Sequence, residues 1–261
     1  MRILVTNDDG IMADGLWTLV SELKKIGAVV VVAPSREQSA CGTAVSLRQP
    51  LKVQRVTPLI PEVEAYSVDG TPSDSVILAL GKLAMNRIDL VVSGINSGPN
   101  LGDDVFISGT VGAALQGYMH GLPALAISVD AMNSPHLEGA AKVAALLAKK
   151  IDNSTLPRDI FLNVNLPNLP LGEISEVRVT RLSNQSHGNS VAVRQENEDD
   201  QPYYWLLRQR LTNNTDTNSD VAAIEQGNIS ITPLHTELLN RRSPLITDGL
   251  FSGLLEELKG L

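Results

Sequence analysis

A chain of 261 residues, 43% of them hydrophobic, is long enough and apolar enough to bury a sizeable α/β core, so a wholly disordered chain is excluded. With 21 Lys and Arg against 29 Asp and Glu, the net charge of −8 argues against a general nucleic-acid binder or a basic membrane-surface protein. The single cysteine, Cys41, rules out an internal disulfide framework and any multi-cysteine zinc site. The first apolar run, Ile3 to Val5, is too short for a signal-peptide core, and no stretch approaches the roughly 18 apolar residues of a spanning helix. The expectation is a soluble protein of a reducing compartment, the cytoplasm.

In chain order, Arg2-Ile3-Leu4-Val5-Thr6 reads as a first strand. A helix from about Leu16 to Lys25 places Leu16, Leu19, Val20 and Leu23 on one face, with Gly27 as its C′ residue. Ala28 to Ala33 holds four consecutive valines and is apolar on both faces, as a central parallel strand is. Thr71-Pro72-Ser73-Asp74 starts a helix running to about Met85, with a hydroxyl cap, proline at the first helical position and an acid in the first turn. Strands follow at Asp89 to Ser93 and Ala124 to Val129. Between them a helix from Gly109-Thr110 to Gly121 carries small residues that permit close packing, and another helix runs from about His136 to Lys150.

This alternation predicts a three-layer, doubly wound α/β/α sandwich on a mostly parallel sheet. Past about residue 155 the character changes, which suggests a core over 1–155 and a C-terminal region over 156–261. In the latter, Ile160 to Asn165, Glu176 to Leu182, Tyr203 to Leu207 and Asn228 to Thr232 read as strands, Asp220 to Gln226 as a short helix, and the end of the chain as a terminal helix. The polar stretch 184–220, with its acidic run Glu196 to Asp200, reads as a solvated segment of the kind that packs on another subunit.

Ligands of a doubly wound sheet bind beyond the carboxyl ends of its strands, which directs attention to three loops. After the first strand comes Asn7-Asp8-Asp9-Gly10. These are ordinary turn residues, yet adjacent carboxylates at a strand end repel unless a cation neutralises them, and hard divalent cations take such oxygens. After the valine strand, Ser35 to Thr43 is crowded with hydroxyls that could add a ligand. After Ser93 a long Gly- and Asn-rich loop carries Asn96, and Ser108-Gly109-Thr110 opens a helix whose amides form a natural phosphate cradle, with capping as the plain reading of Ser108.

Together the loops suit metal-assisted phosphoryl hydrolysis. No phosphate loop of the G-x-x-x-x-G-K-[ST] kind, dinucleotide turn, nucleophile elbow or H-x-x-x-H zinc pair is present. His120, His136, His187 and His235 read as structural or exposed, and Cys41 as a packing residue.

The motifs Ile3-Leu4-Val5-Thr6-Asn7-Asp8-Asp9-Gly10, Val32-Ala33-Pro34 with Ser39, Gly70-Thr71-Pro72-Ser73-Asp74, Ser93 to Gly102, Ser108 to Ala114 and Ile229 to His235 follow one another in fixed order. In that order the chain resembles the survival protein SurE family of metal-dependent 5′/3′-nucleotidases over nearly its whole length, the 184–220 stretch least.

The resemblance implies one divalent cation per subunit, Mn²⁺ or Mg²⁺, held by Asp8, Asp9, Ser39 and Asn96. It implies a phosphate on Asn96, Ser108, Gly109 and Thr110, with Asn7 supporting the first loop and Asp8, Asp9 and Asn96 as the catalytic set. It further implies hydrolysis of nucleoside 5′- and 3′-monophosphates, activity on short polyphosphate in some members, and dimers or tetramers with exchanged C-terminal segments. The rival reading is a non-catalytic nucleotide- or sugar-phosphate-binding regulatory domain, against which the Asp8-Asp9 pair speaks, since an anion binder gains nothing from two negative charges beside a phosphate.

Overall fold

The apolar runs become neighbouring strands. The computed structural model describes residues 1–84, 86–131, 133–184, 187–194, 203–210 and 216–235. Its strands are β1 (Arg2–Thr6), β2 (Ala28–Pro34), β3 (Val53–Arg55), β4 (Glu64–Val68), β5 (Leu90–Ser97), β6 (Ala124–Asp130), β7 (Phe161–Pro167), β8 (Val177–Val179), β9 (His187–Arg194), β10 (Tyr203–Arg210) and β11 (Ile229–Leu234). Nine of them form one sheet in the order β3-β4-β2-β1-β5-β6-β7-β11-β8, while β9 and β10 pair as a separate antiparallel ribbon. From β4 to β7 every pairing is parallel; β3 and β11 join antiparallel to β4 and β7. The residues past 155 therefore extend the same sheet through β7, β11 and β8.

The helices are α1 (Asp14–Leu23), α2 (Pro72–Leu78), α3 (Gly109–Met119), α4 (Leu137–Asp152) and α5 (Asp220–Glu225). α1 packs with α4 and α2 with α3, which completes the three-layer α/β/α sandwich. Alternation along β1 divides the core. Ile3 and Val5 lie in the cluster with Leu16, Leu19, Ala141 and Ala144, and Leu4 in the one with Val76, Ala79 and Ala113. The chain reverses its direction of travel across the sheet between β1 and β5, so the loops after these strands flank the crevice where such folds bind ligands. No helix among the described residues is long and apolar enough to cross a membrane.

Several boundaries differ from the sequence reading, each for a local reason. α1 starts at Asp14, and Gly27 is not its C′ residue; a Cβ there would lie 2.3 Å from the Met1 carbonyl oxygen, so the glycine admits the start of β1. β5 runs to Ser97 rather than stopping at Ser93. A register shift against β6 lies between Ser93 and Asn96, and Gly94, at φ +136°, presses so near Ile127 that a Cβ would sit 2.4 Å from its carbonyl oxygen. Asn96 thus stands on a bulged strand end, a firmer platform than a loop.

α2 closes in a π-helical turn, Ala79–Leu83, and the strand expected over Glu176 to Leu182 runs only over Val177–Val179, with a separate bridge from Arg181 to Ser219. β3, β4 and β9 were not anticipated because short, half-polar runs such as Glu64–Val68 show no clean alternation. The acidic run Glu196 to Asp200 and the expected terminal helix lie outside the described residues.

α3 approaches the sheet through its glycines. A Cβ on Gly117 would stand 2.6 Å from both Cβ and Cγ2 of Val91, a stiff β-branched side chain inside the core. Gly117→Ala therefore costs more in overpacking, about 1–3 kcal/mol, than the roughly 1 kcal/mol it gains in helix propensity. Calorimetric melting is expected to show a lowered Tm, where an exposed helical glycine would show a raised one.

Candidate active site

Three loops meet at the carboxyl ends of β1, β2 and β5. The first is an Asn-Asp-Asp-Gly turn in which the buried Asn7 side chain closes on Gly10 from both directions. Its Nδ2 donates to the Gly10 carbonyl at 2.9 Å, and the Gly10 amide donates to its Oδ1 at 3.2 Å. Gly10, at φ +99°, comes so near the second loop that a Cβ would lie 3.1 Å from the Arg36 carbonyl carbon. The Gln38 amide donates to the Asp8 carbonyl (2.8 Å) and the Ile11 amide to the Pro34 carbonyl (2.8 Å), clasping the two loops. Asn7 thus closes the first loop on itself.

Asp8 is buried, and its carboxylate sits on the first turn of α3. The Thr110 amide donates to Oδ2 at 3.1 Å, and the Thr110 hydroxyl donates to Oδ1. Gly109 makes this approach possible: a Cβ there would be 2.8 Å from Asp8 Cβ and 3.0 Å from Cys41 Sγ. Burial raises the Asp8 pKa above the ordinary value, the Thr110 hydrogen bonds work against that rise, and the Glu37 charge adds to it. Asp9 is half-buried and its pKa is pushed up to about 6, first by burial and then by the Asp8 and Glu37 charges, with the Ser97 amide opposing. That amide ties the first loop to the end of β5.

The magnitudes show what the site lacks. A helix N-terminus contributes at most about 2 kcal/mol to a nearby anion, whereas withdrawing a carboxylate from water costs several kcal/mol. Among the described residues no Lys, Arg or His forms an ion pair with Asp8 or Asp9. Nor do three or more His, Cys, Asp or Glu side chains gather as a metal cage there. The donors at hand are two carboxylates and neutral oxygens, a hard set that fits a hard divalent cation completed by water. Ser39 follows Gln38, whose amide holds the Asp8 carbonyl, and Asn96 precedes Ser97, whose amide holds Asp9; the exposed Ser39 hydroxyl donates to Glu37 (2.5 Å), and Asn96 Nδ2 donates to the Gly98 carbonyl (2.6 Å), so that bond leaves the amide oxygen uncommitted.

The structure divides the expected phosphate cradle. Ser108 caps α3 by accepting from the Val111 amide (3.1 Å), the plain reading of that serine, and Thr110 spends both donors on Asp8. The Cys41 thiol is pushed up to about 11 by burial and by the Asp8 charge, so it stays protonated near neutral pH, in keeping with a packing role. His120 likewise serves structure, its Nδ1 lying 2.7 Å from the Gln116 carbonyl. Thr71 and Asp74 form a capping box that also takes in the 44–46 segment. The Thr71 hydroxyl donates to the Ala44 carbonyl (2.7 Å), and the Ser46 amide donates to Asp74 Oδ1 (2.9 Å).

Sequence reasoning missed the groups that hold the third loop. The Asn100 amide donates to Asn165 Oδ1 (2.8 Å), its Nδ2 to Ser128 Oγ (2.8 Å), and its carbonyl accepts from Asn163 (2.7 Å) and Asn165 (3.0 Å). The signal was two asparagines at i and i+2 in the otherwise apolar run Phe161–Pro167. Glu37, which feeds charge to both aspartates, carried no signal beyond lying in the second loop.

Fold and site together define a doubly wound α/β protein with an acidic crevice at its topological switch point. The family model described as survival protein SurE matches residues 3–189, and the chain belongs to that family. It is 51% identical over 258 residues to the 5′-nucleotidase SurE of Dehalococcoides mccartyi (strain CBDB1), covering 98% of this chain and 96% of that protein. It is 43% identical to the 5′-nucleotidase SurE of Legionella pneumophila (strain Lens), covering 91% and 92%. The crystal structure of the SurE protein from Aquifex aeolicus superposes with a TM-score of 0.80 at 35% identity, covering 98% of this chain and all of that one.

A raised carboxylate pKa gives a pH prediction with a definite sign. The folded metal-free chain holds the Asp9 proton up to about pH 6, while the unfolded chain releases it near 3.8. The contribution of Asp9 to stability is therefore full below about pH 4 and is lost as the pH rises through 6. Melting of the metal-free chain is expected to show this fall, and Asp9→Asn to remove its Asp9 part. Added Mn²⁺ is expected to raise Tm more at pH 7 than at pH 5, because only the ionised pair binds a cation.

Proposed function

We propose that this chain is a divalent-metal-dependent phosphomonoesterase that hydrolyses nucleoside 5′-monophosphates to nucleoside and phosphate, with nucleoside 3′-monophosphates and short-chain polyphosphate as further substrates. The names of its relatives support nucleotidase activity. The observation that carries the metal dependence is the Asp8-Asp9 pair, withdrawn from water at a switch point without a described counter-charge. In this reading Asp8, Asp9, Ser39 and Asn96 hold one Mn²⁺ or Mg²⁺, which when bound supplies charge that offsets the phosphoryl oxygens and acidifies water.

The protein's own residues do the remainder. Thr110 fixes the Asp8 carboxylate, and Asn7 shapes the turn that presents both acids. The N-terminal end of α3 at Ser108-Gly109-Thr110, together with Asn96, faces the phosphate with a favourable dipole. Water attacks phosphorus in line as the bond to the nucleoside oxygen breaks; that oxygen leaves with the electron pair and takes up the proton the water gives up, so that nucleoside and phosphate are the products. Both acids are ligands in this reading, so no phosphoenzyme forms on either; trapping a phosphorylated Asp8 or Asp9 would overturn that point.

The reading includes a homodimer or homotetramer. The β9–β10 ribbon pairs over eight residues per strand and exposes Val191, Tyr204, Trp205 and Leu206, which sit on both faces of it. A lone two-stranded ribbon is at best marginally stable in water, so an apolar one calls for a partner surface, here a second copy of the chain.

Phosphate release from a panel of nucleoside monophosphates and polyphosphate, with EDTA and with single cations restored, tests the activity. Turnover is expected to vanish with EDTA and return with Mn²⁺ or Mg²⁺; binding without turnover under every cation would favour the non-catalytic alternative. Asp8→Asn is expected to lower kcat at least about a hundredfold with the fold intact, and near-wild-type turnover in saturating Mn²⁺ would remove Asp8 from the site. Thr110→Ala is expected to raise the Mn²⁺ requirement as well as KM, because its hydroxyl is spent on Asp8. Light scattering is expected to give an oligomer that Leu206→Glu dissociates; a wild-type monomer would contradict the ribbon's assigned role.

A further inference from the structure

Asp220 is fully buried in the C-terminal third of the chain, at the start of the short helix α5, and its carboxylate accepts three backbone amides. Oδ1 takes those of Ser183 (2.9 Å) and its own neighbour Val221 (2.8 Å), while Oδ2 takes that of Gly102 (2.7 Å), 118 residues away in the loop after β5. Burial raises its pKa while those amides work against the rise. Ser183 and Val221 belong to Asp220's own surroundings in the C-terminal region. Gly102 does not.

Gly102 opens the 3-10 turn Gly102–Phe106, and its amide is one that the turn itself leaves unsatisfied. From there a run of bonds leads to the site. The Asp104 carbonyl accepts the amides of Ile107 (3.1 Å) and Ser108 (3.0 Å), Ser108 caps α3, and the second residue of α3, Thr110, holds the Asp8 carboxylate. The other end of the segment is fixed through Asn100 to β6 and β7. Asp220 therefore ties the stretch between Asn100 and α3 to the C-terminal region at its Gly102 end, while nearer α3 the Ile107 carbonyl accepts the Gly42 amide (2.8 Å).

We propose that Asp220 is a positioning residue for the metal site: by capping the 3-10 turn from across the fold, it sets where α3 begins and hence where Thr110 holds Asp8. This rests on the reading of Asp8 as a metal ligand. It makes cation affinity depend on how the C-terminal region is seated, although none of its side chains belongs to the ligand set.

Asp220→Asn tests this selectively. An amide keeps one acceptor oxygen, which can serve Ser183 and Val221 together, and then turns its NH2 donor toward the Gly102 N–H. Ser219→Ala is the control, since Ser219 Oγ caps the same helix (Ala222 amide, 3.2 Å) and donates to the Asp216 carbonyl (2.8 Å), a role in α5 rather than in the turn at Gly102. Mn²⁺ binding to the full chain is read by paramagnetic resonance titration, at a temperature where melting shows every variant folded.

Affinity is expected to weaken about tenfold in Asp220→Asn and less than about twofold in Ser219→Ala. Gly102→Ala strains the donating residue at φ +53° and is expected to weaken affinity as Asp220→Asn does; it decides the matter alone if Asp220→Asn does not fold. Equal losses in Asp220→Asn and Ser219→Ala would reduce Asp220 to a structural role and overturn the proposal. Wild-type uptake with undiminished uptake by Asp220→Asn would overturn it too, leaving the metal reading intact. A wild-type chain that takes up no Mn²⁺ would overturn the metal reading and this inference with it.

Discussion

The Asp8 carboxylate lies between the end of β1 and the first turn of α3, and the two elements meet there because Gly109 carries no side chain and Thr110 turns both its donors inward. This contact sets the terms for the rest of the site. It anchors a negative charge in a buried position, where the helix end offsets part of the desolvation cost and leaves the remainder. Asp9, one residue on and pushed up to about 6, adds a second charge that the first makes harder to ionise. Two hydrogen bonds to Asp8, one from the Ser97 amide to Asp9 and a helix dipole fix the geometry of these acids without neutralising them.

The surrounding structure keeps that arrangement in register. The end of β2 and the loop after it are clasped to the first loop through Pro34 and Gln38, and the end of β5 reaches Asp9 through the Ser97 amide. The asparagine network around Asn100 and the buried carboxylate of Asp220 carry the third loop's fixation into β6, β7 and the C-terminal region. Polar groups buried this deeply stabilise only when satisfied, and here each of those bonds ends on a segment that leads to the crevice.

Much of this was legible in the sequence because the signals are local. A valine run, a capping box at Thr71 to Asp74 and an Asn-Asp-Asp-Gly turn each declare their geometry within a few residues. What escaped depends on contacts far apart in the chain. Nothing near Asp220 announces a bond to Gly102, and nothing near Thr110 says that its hydroxyl serves Asp8. The bulge that places Asn96 on a strand end arises where Gly94 meets the Ile127 carbonyl, a close approach between strands that periodicity does not encode. Likewise, Gly27 looked like a helix stop and proved to be clearance for Met1.

The account stands on the claim that the crevice acids share a single hard cation with two neutral oxygens. Anomalous diffraction from crystals soaked in manganese addresses it directly. The account predicts one strong peak per chain, bound by carboxylate oxygens of Asp8 and Asp9, the Ser39 hydroxyl and the Asn96 amide oxygen, with water filling an octahedral shell. A difference map with no ion between those four side chains, at concentrations that saturate turnover, would contradict it.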